Sequence, residues 1–92
     1  MIYVLSRLKL ESYDNWKTIF DKRKNIRKEN GSKEAHLFRN SDDPNEAVIL
    51  FQWDNKKNAQ KYMESDELRI GLKNAGAEII SITYLDEQET SI

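Results

Sequence analysis

The sequence predicts one small α+β domain whose elements follow the order strand, helix, strand, strand, helix, strand. Three observations lead to this fold class: four segments alternate apolar and polar residues, two stretches between them have helical spacing, and 92 residues make one domain. Two right-handed crossovers around an antiparallel four-stranded sheet give a ferredoxin-like βαββαβ topology with helices on one face. We assign residues 1–92 to this single domain and expect a polar tail over about residues 87–92.

The first strand and the first helix have clear signals. Ile2–Leu10 alternates with a period of two, which predicts a strand. Ser12 can cap a helix that ends before Gly31, because glycine suits the position after a helix. Arg23 follows the spacing of the apolar stripe, but the basic run over residues 22–28 is interpreted as a solvated helix face. The stripe itself should pack on the sheet; it comprises Trp16, Ile19, Phe20 and Ile26.

Two further strands are predicted over Ser32–Ser41 and Glu46–Trp53. Pro44 and Asn45 between them favour a tight turn. A two-residue loop at these positions would join the strands as a hairpin with a defined register. The third strand is apolar on both faces, so we expect it in the centre of the sheet.

The register of this hairpin decides which side chains share a face of the sheet. It places Phe38 opposite Phe51 and His36 opposite Trp53, all on one face. If the helices cover that face, Tyr62 of the second helix reaches the same space, and His36, Trp53 and Tyr62 border one cavity. If they cover the other face, His36 and Trp53 belong to a dimer interface. The sequence leaves this choice open.

The second half of the chain repeats the pattern of helix and strand. Asp54 can cap a second helix, and Ser65 can cap a further helical segment that ends at Gly76. Gly71 lies inside that segment and lowers its helical stability. The alternation of Ala77–Leu85 predicts the last strand.

The two apolar faces of the sheet predict self-association. Two helices can cover only one face, and the other would leave an apolar patch in water. Packing the open faces of two copies together removes that patch. We therefore expect a homodimer.

The composition excludes several classes of function. The formal net charge of −1 gives no general attraction to nucleic acid or anionic membranes. The chain has no cysteine, and no apolar run approaches the ~20 residues of a membrane span. The first strand is superficially similar to that of RNA-recognition domains, but the third strand lacks their glycine and basic start. We expect a cytoplasmic protein that binds neither nucleic acid nor membrane.

Three groups of residues resemble a known family in their order and spacing. They are the first-helix run Tyr13–Lys17 with Phe20-Asp21, the hairpin run Arg39, Asp43–Glu46 and Trp53-Asp54, and the second-helix run Ser65, Glu67-Leu68 and Ala75-Gly76. Over roughly residues 2–86 the chain resembles the small dimeric α/β-barrel proteins called antibiotic-biosynthesis-monooxygenase-like or cyclase-like. The resemblance implies a homodimer with a barrel-like core and a pocket between sheet and helices. The superfamily includes cofactor-independent monooxygenases, haem-degrading enzymes and isomerases, so the fold does not determine the reaction.

The candidate site combines polar and aromatic side chains. His36 and Tyr62 are the candidate catalytic groups, and the candidate ligand-binding residues are Trp53, Phe38, Phe51 and Arg39. No carboxylate cluster accompanies the single histidine, so we expect no metal. Haem-degrading members of the superfamily hold haem through a helix histidine, and residues 55–75 contain none, so we expect no cofactor.

We therefore expect a dimeric protein that binds a small aromatic or apolar organic molecule, with a cofactor-independent monooxygenase as one form of its activity. The alternative is a non-catalytic dimeric module whose interior is filled by its own side chains. The sequence leaves open whether the protein is an enzyme. An open pocket containing His36 or Tyr62 would favour the enzyme, and a fully packed interior would favour the module.

Overall fold

A computed structural model describes all residues from 1 to 92, with four strands and four helices in the predicted order. The first predicted helix is divided into two shorter helices, whereas the two helical segments predicted after the third strand are both present. The elements are β1 (Ile2–Leu10), α1 (Tyr13–Lys22), α2 (Lys24–Glu29), β2 (Ser32–Arg39), β3 (Glu46–Trp53), α3 (Lys56–Met63), α4 (Asp66–Asn74) and β4 (Ala77–Asp86).

The strands form one antiparallel sheet in the order β2-β3-β1-β4, so β3 is central as its apolar character predicts, and β1 lies beside it. The helices pack on one face of this sheet. That helix-covered face carries the buried positions of the central strands, which are Val4, Ser6, Leu8 and Leu10 of β1 and Ala47, Ile49, Phe51 and Trp53 of β3. The ferredoxin-like fold class is confirmed.

Local side-chain chemistry explains where the helices begin and end. The Ser12 Oγ accepts a hydrogen bond from the Asn15 amide at 3.3 Å, as the sequence predicts. The cap of α3 is Asn55 and not Asp54, because the Asn55 Oδ1 accepts from the Asn58 amide at 2.8 Å. Gly76 ends α4 with a φ of +69°, a left-handed conformation that glycine adopts without steric cost.

The predicted two-residue turn at Pro44-Asn45 is wrong. Residues 40–45 all lie in the connection between β2 and β3, and the Asn40 amide donates to the Glu46 carbonyl at 2.9 Å. The longer loop is stabilised by two side chains that bond to backbone amides two residues further on. Asn40 Oδ1 accepts from Asp42 at 2.8 Å, and Asp43 Oδ1 accepts from Asn45 at 2.9 Å.

This loop changes the register of the hairpin. His36 pairs with Leu50 and Phe38 pairs with Val48, whereas the tight turn predicted Trp53 and Phe51 as their partners. The shift is three residues. Because side chains alternate between faces with a period of two, an odd shift moves the β2 side chains from Glu34 onward to the other face. His36 and Phe38 therefore lie opposite the helix-covered face.

We call the uncovered side of the sheet the open face. Its apolar centre consists of Tyr3, Leu5, Val48, Leu50, Phe38 and Leu85. Phe38 is 54% exposed and Leu85 39% exposed in the single chain. None of the four helices combines the length and the apolar character that a membrane crossing requires.

Candidate functional site

A narrow cavity of about 40 Å³ lies between the helices and the helix-covered face of the sheet. Most of its lining is apolar, with contributions from the first helical region, α3, α4 and three strands. The apolar lining includes Leu8, Trp16, Ile19, Ile49, Phe51, Met63, Leu68, Leu72 and Ile79. The volume exceeds the 10–15 Å³ or so that one water needs. An aromatic ring requires more room than this, and the flexible Met63 side chain is the lining group best able to provide it.

The polar end of this cavity is formed by Arg23, Arg27 and Tyr62. The Arg23 Nε donates a hydrogen bond to the Tyr62 hydroxyl oxygen at 3.2 Å, and the Arg23 guanidinium carbon lies 5.7 Å from the centre of the Tyr62 ring. No group in this structure accepts the hydrogen of the Tyr62 hydroxyl. Tyr62 can therefore donate that hydrogen to a ligand in the cavity.

Arg23 has a buried nitrogen without a hydrogen-bond partner. Its Nη2 is the only buried side-chain nitrogen or oxygen in the chain that lacks one. The nearest carboxylate oxygen, Glu67 Oε1, is 4.0 Å away on a side chain that is 74% exposed. That separation gives a weak, solvent-screened attraction and is too long for a hydrogen bond. A buried donor without a partner costs free energy, and such donors are rare in native proteins.

Arg27 brings a second cation to the same place. It is 7% exposed, its Nη1 donates to the Phe20 carbonyl at 2.8 Å, and its guanidinium stacks on the Phe20 ring at 3.9 Å. Burial lowers the pKa of Arg27 from its ordinary value; Tyr62 and Asp21 act in the opposite direction, while the charge of Arg23 adds to the lowering. Arginine nevertheless stays protonated in proteins. The cavity thus has two positive charges at one end.

The backbone places these groups by simple local means. Arg23 occupies the break between α1 and α2, where its amide donates to the Ile19 and Phe20 carbonyls. Tyr62 lies in the last turn of α3 and faces the sheet. A Cβ at Gly71 would lie 3.6 Å from the Arg23 Nη1, an ordinary van der Waals contact, so a methyl group would fit beside the guanidinium.

The interpretation of residues 22–28 as a solvated face is wrong for two of them. The Arg23 side chain is only 15% exposed, and Arg27 is buried. A signal was present in the sequence, because Arg23 and Arg27 continue the spacing of Trp16 and Phe20 on the buried side of the helix. Their charge indicates a surface position, whereas their periodicity indicates a buried one.

The structure separates the predicted site residues. His36 lies on the open face, is half-exposed, and its Nε2 is 3.1 Å from the Glu34 carboxylate. Tyr62 lies on the other side of the sheet, so the predicted cavity shared by His36, Trp53 and Tyr62 is wrong. Trp53 is fully buried in the core and donates from Nε1 to the Asn30 carbonyl at 3.0 Å. It contacts Tyr62, with 5.3 Å between ring centres, but does not line the cavity.

The other predicted ligand-binding residues also divide between the two faces. Phe51 lines the cavity, whereas Phe38 belongs to the open face. Arg39 stacks on the Tyr13 ring at 4.2 Å and donates from Nε to the Pro44 carbonyl at 2.8 Å. These contacts hold the Arg39 side chain at the hairpin loop. No group of three or more histidine, aspartate or glutamate side chains is arranged to hold a metal ion. The cavity therefore contains Phe51 and Tyr62 of the six predicted residues.

The comparisons with family models and with solved structures agree with each other. The family model for antibiotic biosynthesis monooxygenases matches residues 1–71. A comparison with curated protein sequences gives no match. Among solved structures, SnoaB, a cofactor-independent oxygenase from Streptomyces nogalater, aligns with a TM-score of 0.77 and 12% identity, over 97% of this chain and 94% of SnoaB.

A dimeric ferredoxin-like protein from an uncultured marine organism aligns with a TM-score of 0.65 and 11% identity, over 100% of this chain and 99% of the other. At such low identities, the structural likeness shows a shared fold. The family match extends over most of the chain, from β1 into α4.

Proposed function

Because the chain belongs to the antibiotic biosynthesis monooxygenase family, we propose that it binds a small aromatic molecule between helices and sheet and oxygenates it without a cofactor. The observation that carries this proposal is the apolar cavity with the Tyr62 hydroxyl and two buried arginines at one end. Ligand sites typically combine such an apolar lining with a few convergent polar groups. SnoaB, which has the same fold, is described as a cofactor-independent oxygenase.

An oxygenase without a cofactor requires a substrate that supplies all the electrons. Oxygenation of 1-naphthol illustrates the balance: the ring carbon opposite the hydroxyl takes one oxygen atom of O₂ and becomes a carbonyl, and the second atom leaves as water. The naphthol loses its hydroxyl hydrogen and one ring hydrogen, and the product is 1,4-naphthoquinone. The protein has to bind the ring, exclude water and position the hydroxyl. Phe51 and its apolar neighbours can do the first two, and Tyr62 can do the third.

We also propose that the open face pairs two copies of the chain as a homodimer. Its apolar centre is uncovered in the single chain, and exposed patches of this kind mark interfaces. The dimeric ferredoxin-like protein of similar structure supports this arrangement. In such a dimer His36 and Phe38 lie at the interface, and the cavity belongs to each chain separately.

Oxygen uptake tests the catalytic proposal. Purified protein treated with a chelator is incubated with 1-naphthol in air, and dissolved oxygen and naphthoquinone absorbance are followed. We expect uptake of one O₂ per quinone formed, with Tyr62→Phe slower than the unmodified protein. Arg69→Met provides the control, because the Arg69 side chain is 68% exposed.

The alternative function, a non-catalytic binding module, gives a different result in the same experiment. Naphthol would then bind without any oxygen uptake above the rate in buffer. Failure of both binding and uptake would contradict the proposed site altogether.

A further inference from the structure

The buried end of the cavity carries two positive charges and no carboxylate that bonds to them directly. Arg23 and Arg27 both line it, and neither makes a hydrogen bond to a carboxylate. The Arg27 guanidinium is engaged by the Phe20 carbonyl and the Phe20 ring. The Arg23 Nε donates to the neutral Tyr62 hydroxyl, and its Nη2 has no partner. The free energy cost of this arrangement falls on the unliganded protein.

A structural role for Arg23 accounts poorly for these contacts. A residue needed only to join α1 and α2 to α3 would be expected to satisfy its donors, since nearly all buried polar groups in proteins are paired. Glu67 on α4 is the one carboxylate within 4.0 Å, and its side chain extends into solvent. Gly71, on the same helix, presents no side chain to the guanidinium, and a Cβ there would make an ordinary van der Waals contact with Arg23 Nη1 at 3.6 Å. Both features are consistent with a position reserved for an incoming group.

We propose that the ligand carries an ionised oxygen, such as a phenolate, that accepts a hydrogen bond from Arg23 Nη2 while its ring lies against Phe51 and the apolar lining. This proposal rests on the proposed function and adds to it a specific role for Arg23 in recognising the ligand's oxygen. Arg23 is then the residue that determines specificity, and Tyr62 donates the second hydrogen bond to the same oxygen. A charge-assisted bond in a water-poor site is among the strongest that a protein makes.

The test compares two probes that differ only in the ability to ionise, 4-nitrophenol and its methyl ether 4-nitroanisole. Dissociation constants are measured by calorimetry for the unmodified protein, for Arg23→Met and for Arg69→Met at one pH near neutrality. We expect 4-nitrophenol to bind at least about tenfold more tightly than the ether, as one charged hydrogen bond provides. Arg23→Met should reduce this ratio to near one, and Arg69→Met should leave it unchanged.

Two further readouts separate recognition from a structural role. Arg23→Met should change the melting temperature little, because it removes the unpartnered buried Nη2 together with the hydrogen bond from Nε to the Tyr62 hydroxyl. In the unmodified protein, binding should increase the fraction of nitrophenol present as the visibly absorbing phenolate, a measurement that needs no variant. A loss of melting temperature in Arg23→Met with an unchanged affinity ratio would overturn the proposal.

The outcomes also distinguish this proposal from the proposed function. Equal affinity for the two probes in the unmodified protein would overturn the assignment of Arg23 and leave aromatic binding intact. Absence of binding by both probes would overturn the binding site and the role of Arg23 together.

Discussion

The two faces of the sheet are made by the same strands but differ in the side chains that they carry. The helix-covered face combines an apolar cavity with Arg23, Arg27 and Tyr62 at one end. The open face is apolar in its centre and bordered by charged pairs such as Arg7 with Glu46, whose side chains approach to 3.1 Å. Both faces are apolar in part, so apolar character alone does not distinguish them. The buried polar groups among the apolar residues make the distinction.

The largest effect is expected on the helix-covered face, from Trp16→Ala. Trp16 is 1% exposed and contacts Phe20, with 5.1 Å between ring centres. Truncating a buried tryptophan removes apolar contacts and enlarges the cavity, which typically costs about 3–5 kcal/mol of the free energy of unfolding. Urea unfolding followed by circular dichroism measures this. Ile70→Ala is the control, because Ile70 is 51% exposed and its loss should stay within about 0.5 kcal/mol.

A charge placed on the open face should prevent the association of two chains without changing ligand binding. Leu50 lies in its centre, paired with Leu5 and His36 on the neighbouring strands. Leu50→Lys places a cation in the apolar contact between two sheets and should convert the dimer to a monomer at micromolar concentration. Light scattering checks the mass, and Ile70→Lys on the outer side of α4 should remain dimeric. If the unmodified protein is a monomer under these conditions, the role of the open face is contradicted.

The sequence predicts the central strands and several helix ends well, but it predicts the register between β2 and β3 poorly. The bounds of β1 and β3, the Ser12 cap and the Gly76 stop all follow from local signals that the structure confirms. The hairpin register depended on a loop in which Asn40 and Asp43 bond to the backbone, and this alternative competes with the Pro44-Asn45 turn. The longer loop therefore places His36 on the face opposite Trp53's side chain, whereas the tight turn predicts the same face.

The polar end of the cavity was missed for another reason. The charge of Arg23 and Arg27 predicts surface positions, because an arginine is seldom buried without a carboxylate. The helical spacing placed both on the inner side. Their burial depends on contacts with Phe20 and Tyr62 that only the folded chain provides. Exceptions of this type are expected at functional sites, where sequences depart from the usual pattern.

A smaller substitution sharpens the comparison within the helix layer. Gly71→Ala should raise the free energy of unfolding by roughly 0.5–1 kcal/mol, because alanine is the better helix former and the new Cβ has room at 3.6 Å from Arg23 Nη1. It should also weaken phenol binding, because the added methyl occupies space beside the guanidinium.

Gly76→Ala is the contrasting change. Its φ of +69° and the Glu11 carboxylate 2.7 Å from the new Cβ predict destabilisation. Stronger phenol binding by Gly71→Ala would contradict the geometry of the site.

The smallest effect concerns Tyr84 on the edge strand β4. Its hydroxyl donates to Glu64 Oε2 at 3.2 Å, and burial followed by the charge of Glu64 raises the pKa of Tyr84 from 10.0 to about 12. In the unfolded chain the tyrosine ionises first, so its contribution to stability is complete below pH 10 and is lost as the pH rises towards about 12. Tyr84→Phe should therefore show a shallower decline in unfolding free energy over this range. Parallel curves for the two proteins would contradict the assignment.

The most direct test of the division between the two faces is a crystal structure of the protein with 4-nitrophenol. The ligand is expected between the helices and the helix-covered face, against Phe51, with its oxygen within hydrogen-bond distance of Arg23 Nη2 and the Tyr62 hydroxyl. The open faces of two copies should contact each other without ligand between them. A nitrophenol bound between the two sheets beside His36 and Phe38, with the helix-side cavity closed, would contradict this account.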